Sequence, residues 1–310
     1  MLDFHIPTFD DKKWINKVLD GYSGFGSENT FGSIYLWRNF FGTKVCSYAN
    51  CLLRKYSFKD IPVGYAFPLR AQNCDSDCLK IALDALFKES RSYSLPFVLT
   101  GITKEDLEYL RCVYTGQFKF MKQRNSEDYI YLSSDLISLS GKKFHSKRNH
   151  ISKFNKLHKF SYEDVSETNL EEVLLFIDSW FKDNGDTGEE GLNYESSAIK
   201  EFLNNYEYFN FKSGILKIDG KVVAFTSGEE ISQNVFVIHF EKALKEYDGS
   251  YSVINNEFAK RNLRNYTYIN REEDMGIPGL RRSKLSYHPK FLLKRYQAIY
   301  LGKGRENLFL

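Results

Sequence analysis

The sequence predicts an α+β protein made of two similar units, each a mixed, mostly antiparallel sheet flanked by helices. Three observations carry this expectation. A chain of 310 residues is long enough for two ordinary cores. Aromatic residues make up 16% of it, with only 6 Pro, a composition that suits sheet-rich interiors. The order helices, antiparallel meander, helix, strand, helix, strands runs through 1–140 and again through 161–310. No residue-level repeat accompanies that order, so the duplication rests on the elements alone.

The first unit, 1–140, opens with DDKKWINKVLDGY, in which Trp14, Val18 and Leu19 recur at helical spacing. A polar, glycine-broken stretch dense in aromatics, GFGSENTFGSIYLWRNFFG, comes next. Strand-like runs are expected around 45–56 and 65–69, then a helix over 77–90. The short apolar strand PFVLTGI follows, then a helix from Thr103 towards Val113, and two strands near 118–121 and 129–133. The second unit, 161–310, starts with a helix over 170–182 that shows Val173, Leu174, Ile177 and Phe181 on one face. A glycine-rich loop, DNGDTGEEG, separates it from a helix over 194–204. GILKIDGKVVAFTSGEEISQNVFVIHFEKA then reads as three antiparallel strands, with Asp219-Gly220 as the tight turn. The helix GSYSVINNEFAKRN is expected to turn Tyr251, Ile254 and Phe258 inward. A short strand over 266–270, a short helix near 279–286 and closing strands to Tyr300 complete the unit.

Between the units lies GKKFHSKRNHISKFNKLHK, expected as a basic linker helix over 141–160. It holds seven Lys/Arg, three His and no acidic residue. Phe144, Ile151, Phe154 and Leu157 stand at helix-compatible intervals, so one face packs. His145, His150 and His158 are five and eight apart, which sets up no i, i+4 metal pair. Charge is otherwise balanced, with 17 basic and 16 acidic residues in 1–140 and 26 and 24 in 141–310. No global field draws nucleic acid, and anion affinity has to be local. The one-sign helix is the place for it, with Lys147, Arg148 and Lys153 as the expected phosphate contacts.

Other classes are disfavoured. The five cysteines, Cys46, Cys51, Cys74, Cys78 and Cys112, match no common zinc spacing, and no secretory h-region precedes them. Reduced thiols in a cytoplasmic protein are the expectation. No apolar run approaches the roughly 18 residues of a membrane span, no metal site is expected, and the acids lack calcium-loop spacing.

Chemistry-bearing residues gather late in the chain. Gly249, between Asp248 and Ser250, permits a tight strand-to-helix turn whose opening N–H groups can bind an anion. His239 and Glu241, two apart on a strand, are expected on one face as candidate bases. After the next strand come Glu273 and Asp274, suited to an amino group. Lys284 follows, suited to phosphate or an oxyanion, and then Tyr287, suited to protonating a leaving oxygen.

A helix-led unit with a long meander, an anion-competent turn and a helix resembles the GNAT acyltransferase fold, and two in tandem resemble the Fem-type aminoacyl transferases. SGKKFHSKRNHISKF, DGKVVAFTSGE, HFEKALKEYDGSYSVINNEF and NREEDMGIPGLRRSKLSYHP, with SENTFGSIYLWR upstream, are more closely similar to the C-terminal domain of phosphatidylglycerol lysyltransferases. The resemblance implies a transferase moving an acyl or aminoacyl group to an amine or hydroxyl. In the acetyl-CoA version the loop reads Gln/Arg-x-x-Gly-x-Gly/Ala, whereas Glu246 and Tyr251 stand at its ends here. A carboxylate beside a pyrophosphate is unfavourable, and Gly249-Ser250-Tyr251 looks more like the Fem-type loop. The donor implied is therefore aminoacyl-tRNA, with acyl-CoA as the alternative and a non-catalytic binding module as a third reading. No tightly bound cofactor is expected. The acceptor is left open among lipid, peptide and small molecule, and a monomer or weak dimer is expected.

Overall fold

The computed structural model describes residues 2–72, 74, 76–184 and 190–302. α1 (Lys12–Leu19) is amphipathic and buries Ile15 and Val18. The glycine-broken aromatic stretch, to which local sequence signals assign no element, forms α2 (Phe31–Leu36) and α3 (Arg38–Phe41). Thr30 caps α2 by accepting from the Ser33 N–H at 3.0 Å. The run expected over 45–56 is a hairpin of β1 (Lys44–Tyr48) and β2 (Cys51–Phe58). It reverses at Ala49 and Asn50, both at positive φ. β3 (Ile61–Ala66) continues the meander, and the short β4 (Leu69–Arg70) lies against β2. Then come α4 (Ser76–Ser92), β5 (Val98–Ile102), α5 (Lys104–Val113) and β6 (Phe118–Lys122).

The next strand, β7 (Asp128–Leu132), leaves the first unit. After it follow α6 (Ser133–Ser138), the basic helix α7 (His145–Leu157), β8 (Phe160–Asp164), α8 (Leu170–Asn184) and α9 (Glu190–Asn204). Most of the glycine-rich loop expected between α8 and α9 lies outside the described residues. β9 (Lys212–Ile218), β10 (Lys221–Ser232) and β11 (Val235–Ala243) form the predicted antiparallel meander. Asp219 and Gly220 are both at positive φ in its first turn. α10 (Ser250–Asn262), β12 (Tyr268–Asn270), α11 (Pro278–Leu285), β13 (Phe291–Leu293) and β14 (Tyr296–Tyr300) close the chain.

The first sheet runs β1-β2-β3-β5-β14-β6 and the second β13-β7-β12-β11-β10-β9-β8. The sheets therefore exchange strands. β7, from the first half, sits in the second sheet, and β14, from the end of the chain, sits in the first. The division expected between 1–140 and 161–310 does not follow the sheets. One hydrophobic core also joins α1 and α2 to α8, α9 and the meander, from Ile15 and Phe31 through Ile177 and Phe202 to Phe225 and Phe240. Each fully buried Phe there stabilises the fold by roughly 2–3 kcal/mol.

SENTFGSIYLWR pins this exchange. Arg295, 2% exposed between β13 and β14, donates to the Glu28 carboxylate, to Asp128 at 2.9 Å and to the Gly101 carbonyl at 2.9 Å. Arg54 donates to the Glu28 carbonyl and to Asn29 Oδ1, and Asn270 Nδ2 donates to Asp128 at 3.0 Å. A buried guanidinium so fully matched tolerates the loss of neither carboxylate.

Candidate active site

β11 and β12 pair in parallel only from Val235–Val237 to Tyr268–Asn270. β11 then runs on to Ala243, while the chain after Asn270 turns to β7, where Arg271 and Glu272 exchange backbone bonds with Tyr129. The two strands part, and the opening between them is closed on one face by α10. A bulge shapes it further. Ser227 pairs with Phe240 and Gly228 with Ile238, so His239 is the extra residue on β11. The alternation expected to put His239 and Glu241 on one face is broken at that point, and the two point to opposite faces.

On the α10 face, Glu241 accepts from Arg271 Nη2 at 2.8 Å and from Asn255 Nδ2 at 2.9 Å. A carboxylate only accepts, which fixes the Asn255 amide with Oδ1 turned away from Glu241. That Oδ1 and Arg271 Nη1 are both buried without a partner. A hydrogen-bond donor and an acceptor thus stand unmatched within one network, a costly arrangement unless a ligand satisfies it. Tyr287, 3% exposed, supplies the aromatic wall. The Arg271 guanidinium lies 4.7 Å from its ring centroid and the Lys147 ammonium 3.9 Å. The Tyr287 hydroxyl donates to Ser252 Oγ at 3.5 Å and lies beside the Arg271 guanidinium, and burial raises its pKa, so it stays protonated. Burial and the nearby Arg271 charge bring the Lys147 amine down to about 8.

On the other face His239 is clamped, with Nδ1 2.7 Å from Glu272 and Nε2 3.1 Å from Glu229, its ring stacked on Phe211. Burial works against the charged imidazolium, but the two carboxylates outweigh it and carry the pKa up to about 9. Both nitrogens are occupied, so the ring holds two acids in place and is not free as the base expected from the sequence. Gly32 of α2 makes room, since a Cβ there would stand 2.3 Å from Glu229 Oε1 and 2.5 Å from the Phe211 ring.

The remaining candidates separate. Glu273 is pushed up to about 7, by burial first and then by Glu272 and Asp128, and Lys284 donates to its backbone carbonyl. Asp274, 0% exposed, is saturated by Arg281, Arg124, the Tyr129 hydroxyl and the Gly276 N–H. It has no valence left for the substrate amino group it was expected to bind. The Asp248–Tyr251 turn is not an open anion cradle. A Cβ on Gly249 would meet the His150 carbonyl at 2.8 Å, so α7 seals the turn, and Asp248 at its mouth pairs with Lys153 at 2.8 Å. Ser250 is buried with its hydroxyl on the Leu244 carbonyl, and Tyr251 is 36% exposed, its hydroxyl beside Ala243 and Trp180. Arg148 donates to the Leu139 and Gly141 carbonyls, and Leu157, expected to pack, is exposed. A groove of about 410 Å³ does run between α6, α7 and α10, with Arg148, Lys156 and Lys260 on its walls and no acid.

Sequence reasoning passed over Arg271, Asn255, Glu229 and Glu272 as site residues. One signal was available: Asn255-Asn256 lies in the buried run of a helix, where asparagine is a poor helix former and needs a partner. Nothing local marks Glu229, because its contacts with His239 and Gly32 are made only by the folded chain. Among the described residues no group of three His, Cys, Asp or Glu can hold a metal, and no helix is long and apolar enough to cross a membrane.

This geometry has relatives. A conserved protein of unknown function from Bacteroides thetaiotaomicron superposes with a TM-score of 0.90 at 34% identity, over 97% of this chain and 100% of that one. L-PGS from Bacillus licheniformis gives 0.65 at 16% identity, covering 94% and 92%. FemX gives 0.61 at 7% identity, covering 97% and 98%. These last two share the fold, mixed and mostly antiparallel sheets flanked by helices, which is the architecture expected from the sequence. An uncharacterized protein of Mycoplasmoides gallisepticum is 26% identical over 216 residues, 64% of this chain, and the match spans 62% of that relative's length. The family model "Phosphatidylglycerol lysyltransferase, C-terminal" matches residues 21–299, and the chain belongs to that family.

Proposed function

We propose that the protein is an aminoacyltransferase, taking an aminoacyl group from the ester of a charged tRNA and passing it to an amine or hydroxyl acceptor. The observation that carries this is the unmatched pair, Arg271 Nη1 and Asn255 Oδ1, buried where β11 and β12 part. An aminoacyl ester offers the complements, a carbonyl oxygen that becomes an oxyanion on attack and an ammonium N–H. Arg271 Nη1 would hold the first and Asn255 Oδ1 the second. The protonated Tyr287 hydroxyl would serve the leaving oxygen.

Two further features favour tRNA over acyl-CoA. Glu246 carries an exposed carboxylate beside the turn where a CoA pyrophosphate would lie, and such a charge repels it. The groove between α6, α7 and α10 offers Arg148 and Lys156 to a polyanionic backbone instead, while its Lys260 is paired with Glu257 at 3.0 Å. The acceptor belongs to a class with a nucleophilic amine or hydroxyl, whether lipid, peptide or small molecule.

Thermal-shift titration tests the donor. A 3′-aminoacylamino-adenosine, which carries an amide in place of the ester, is expected to raise the melting temperature of the wild type, and an Arg271→Lys variant is expected to lose the shift. Stabilisation by acyl-CoA and none by the adenosine amide would replace this reading with a CoA-dependent one.

A further inference from the structure

We infer that Lys147 is the proton acceptor of this site, the base that frees the attacking nucleophile. The inference rests on the transferase reading and adds a residue to it. Transfer to an amine or hydroxyl requires a group that takes a proton as the new bond forms. Three carboxyl or imidazole candidates are disposed of by geometry. Glu241 has both oxygens engaged, by Arg271 and Asn255. His239 lies on the opposite face with a carboxylate on each nitrogen. Glu273 has Glu272, Asp128 and Lys284 as its neighbours rather than the unmatched pair.

Two other cations of α7 are engaged elsewhere, Arg148 by backbone carbonyls and Lys153 by Asp248. Lys147 has an aromatic face instead of a carboxylate, 3.9 Å above the Tyr287 ring that also carries Arg271. The charged groups facing it are Arg271, after β12, and Glu241, on β11, while Tyr287 and Tyr131 line the same space. Desolvation and the Arg271 charge favour the neutral amine, and its pKa of about 8 gives a usable unprotonated fraction near neutral pH.

The step balances. The Lys147 amine takes a proton from the acceptor as its nitrogen or oxygen attacks the ester carbon, and the oxyanion forms against Arg271. On collapse the carbon–oxygen bond to the donor ribose breaks and the leaving oxygen takes the Tyr287 proton. The Lys147 ammonium then reprotonates the phenolate. One acyl group and one proton have changed places.

Reductive ¹³C-methylation of the whole protein, followed by NMR titration of the dimethyl-lysine resonances, reads Lys147 without turnover. One resonance is expected to titrate near 8 and to be missing in Lys147→Arg. Rates of aminoacyl transfer are expected to fall at least about 100-fold in that variant, with loss of the limb near pH 8 in the wild-type pH profile. A circular-dichroism melt matching wild type separates this from misfolding. A Lys147 resonance titrating above 10 overturns the inference and leaves the transferase reading intact. So does a Lys147→Arg enzyme that keeps its rate and its pH limb. Absence of transfer by wild type from any charged tRNA sinks the transferase reading, and the base assignment with it.

Discussion

Gly32→Ala is the substitution whose outcome local propensity and tertiary structure predict with opposite signs. Gly32 lies in α2, where its φ is not in the left-handed region, and on helix propensity alone alanine gains roughly 0.5–1 kcal/mol. The added Cβ would stand 2.3 Å from Glu229 Oε1 and 2.5 and 2.6 Å from two Phe211 ring atoms. Neither neighbour can yield cheaply. Glu229 is hydrogen-bonded to His239, and Phe211, 7% exposed, stacks on the same imidazole. Overpacking of this kind costs about 1–3 kcal/mol, and weakening a hydrogen bond between charged groups adds about 1.5–3 kcal/mol. After the propensity gain the net loss is about 2 kcal/mol or more. Urea unfolding at pH 7 measures it. A variant as stable as the wild type, or more so, would refute the packing of α2 onto the His239 clamp.

Three other outcomes follow from the same groups. His239 has its folded pKa raised, so its stabilising contribution is complete below about 6.5 and is lost as pH rises through about 9. The stability advantage of wild type over His239→Gln is expected to shrink by on the order of 2 kcal/mol between pH 7 and 10, a difference in which the opposite contribution of Lys147, common to both proteins, cancels. Glu273 is a carboxyl with its folded pKa raised, and it favours folding least when ionised. Glu273→Gln is therefore expected to be the more stable protein at pH 8, by on the order of 1 kcal/mol, with the advantage shrinking below pH 7 and gone near 4.5. Lys153→Ala removes an exposed pair with Asp248 and is expected to leave the urea midpoint unchanged, because such pairs are screened by water.

Much of the second sheet was legible because its signals are local. The 3.6-residue spacing of Val173, Ile177 and Phe181 and the Asp219-Gly220 turn are written in neighbouring residues, and both formed as expected. What escaped is what the chain decides at a distance. Nothing near Asp128 or Tyr296 says that β7 and β14 change sheets, because their partners, Tyr268–Asn270 and Val98–Ile102, lie far along the sequence. The bulge at His239 is equally silent, and by itself it undid the expectation that His239 and Glu241 share a face. Lys147, expected as a phosphate contact, and Tyr287 were singled out because their residue types are chemically conspicuous, and the folded chain places the Lys147 ammonium 3.9 Å from the Tyr287 ring centroid. Asp248, Lys153 and Asp274 were conspicuous for the same reason, yet each is satisfied by a partner that only folding supplies.

Arg271 is where the functional account can be tested most directly, by the rate at which a labelled amino acid leaves its tRNA. Acid-precipitable counts on charged tRNA are followed with wild type and with Arg271→Lys, which keeps the charge but not the fork that presents Nη1. Wild type is expected to accelerate loss of the ester in the presence of an amine or hydroxyl acceptor, and the variant to lose at least about 100-fold of that rate, the scale of removing one oxyanion donor. Equal rates for the two proteins, or no acceleration with any charged tRNA, would contradict the assignment of this cleft to aminoacyl transfer.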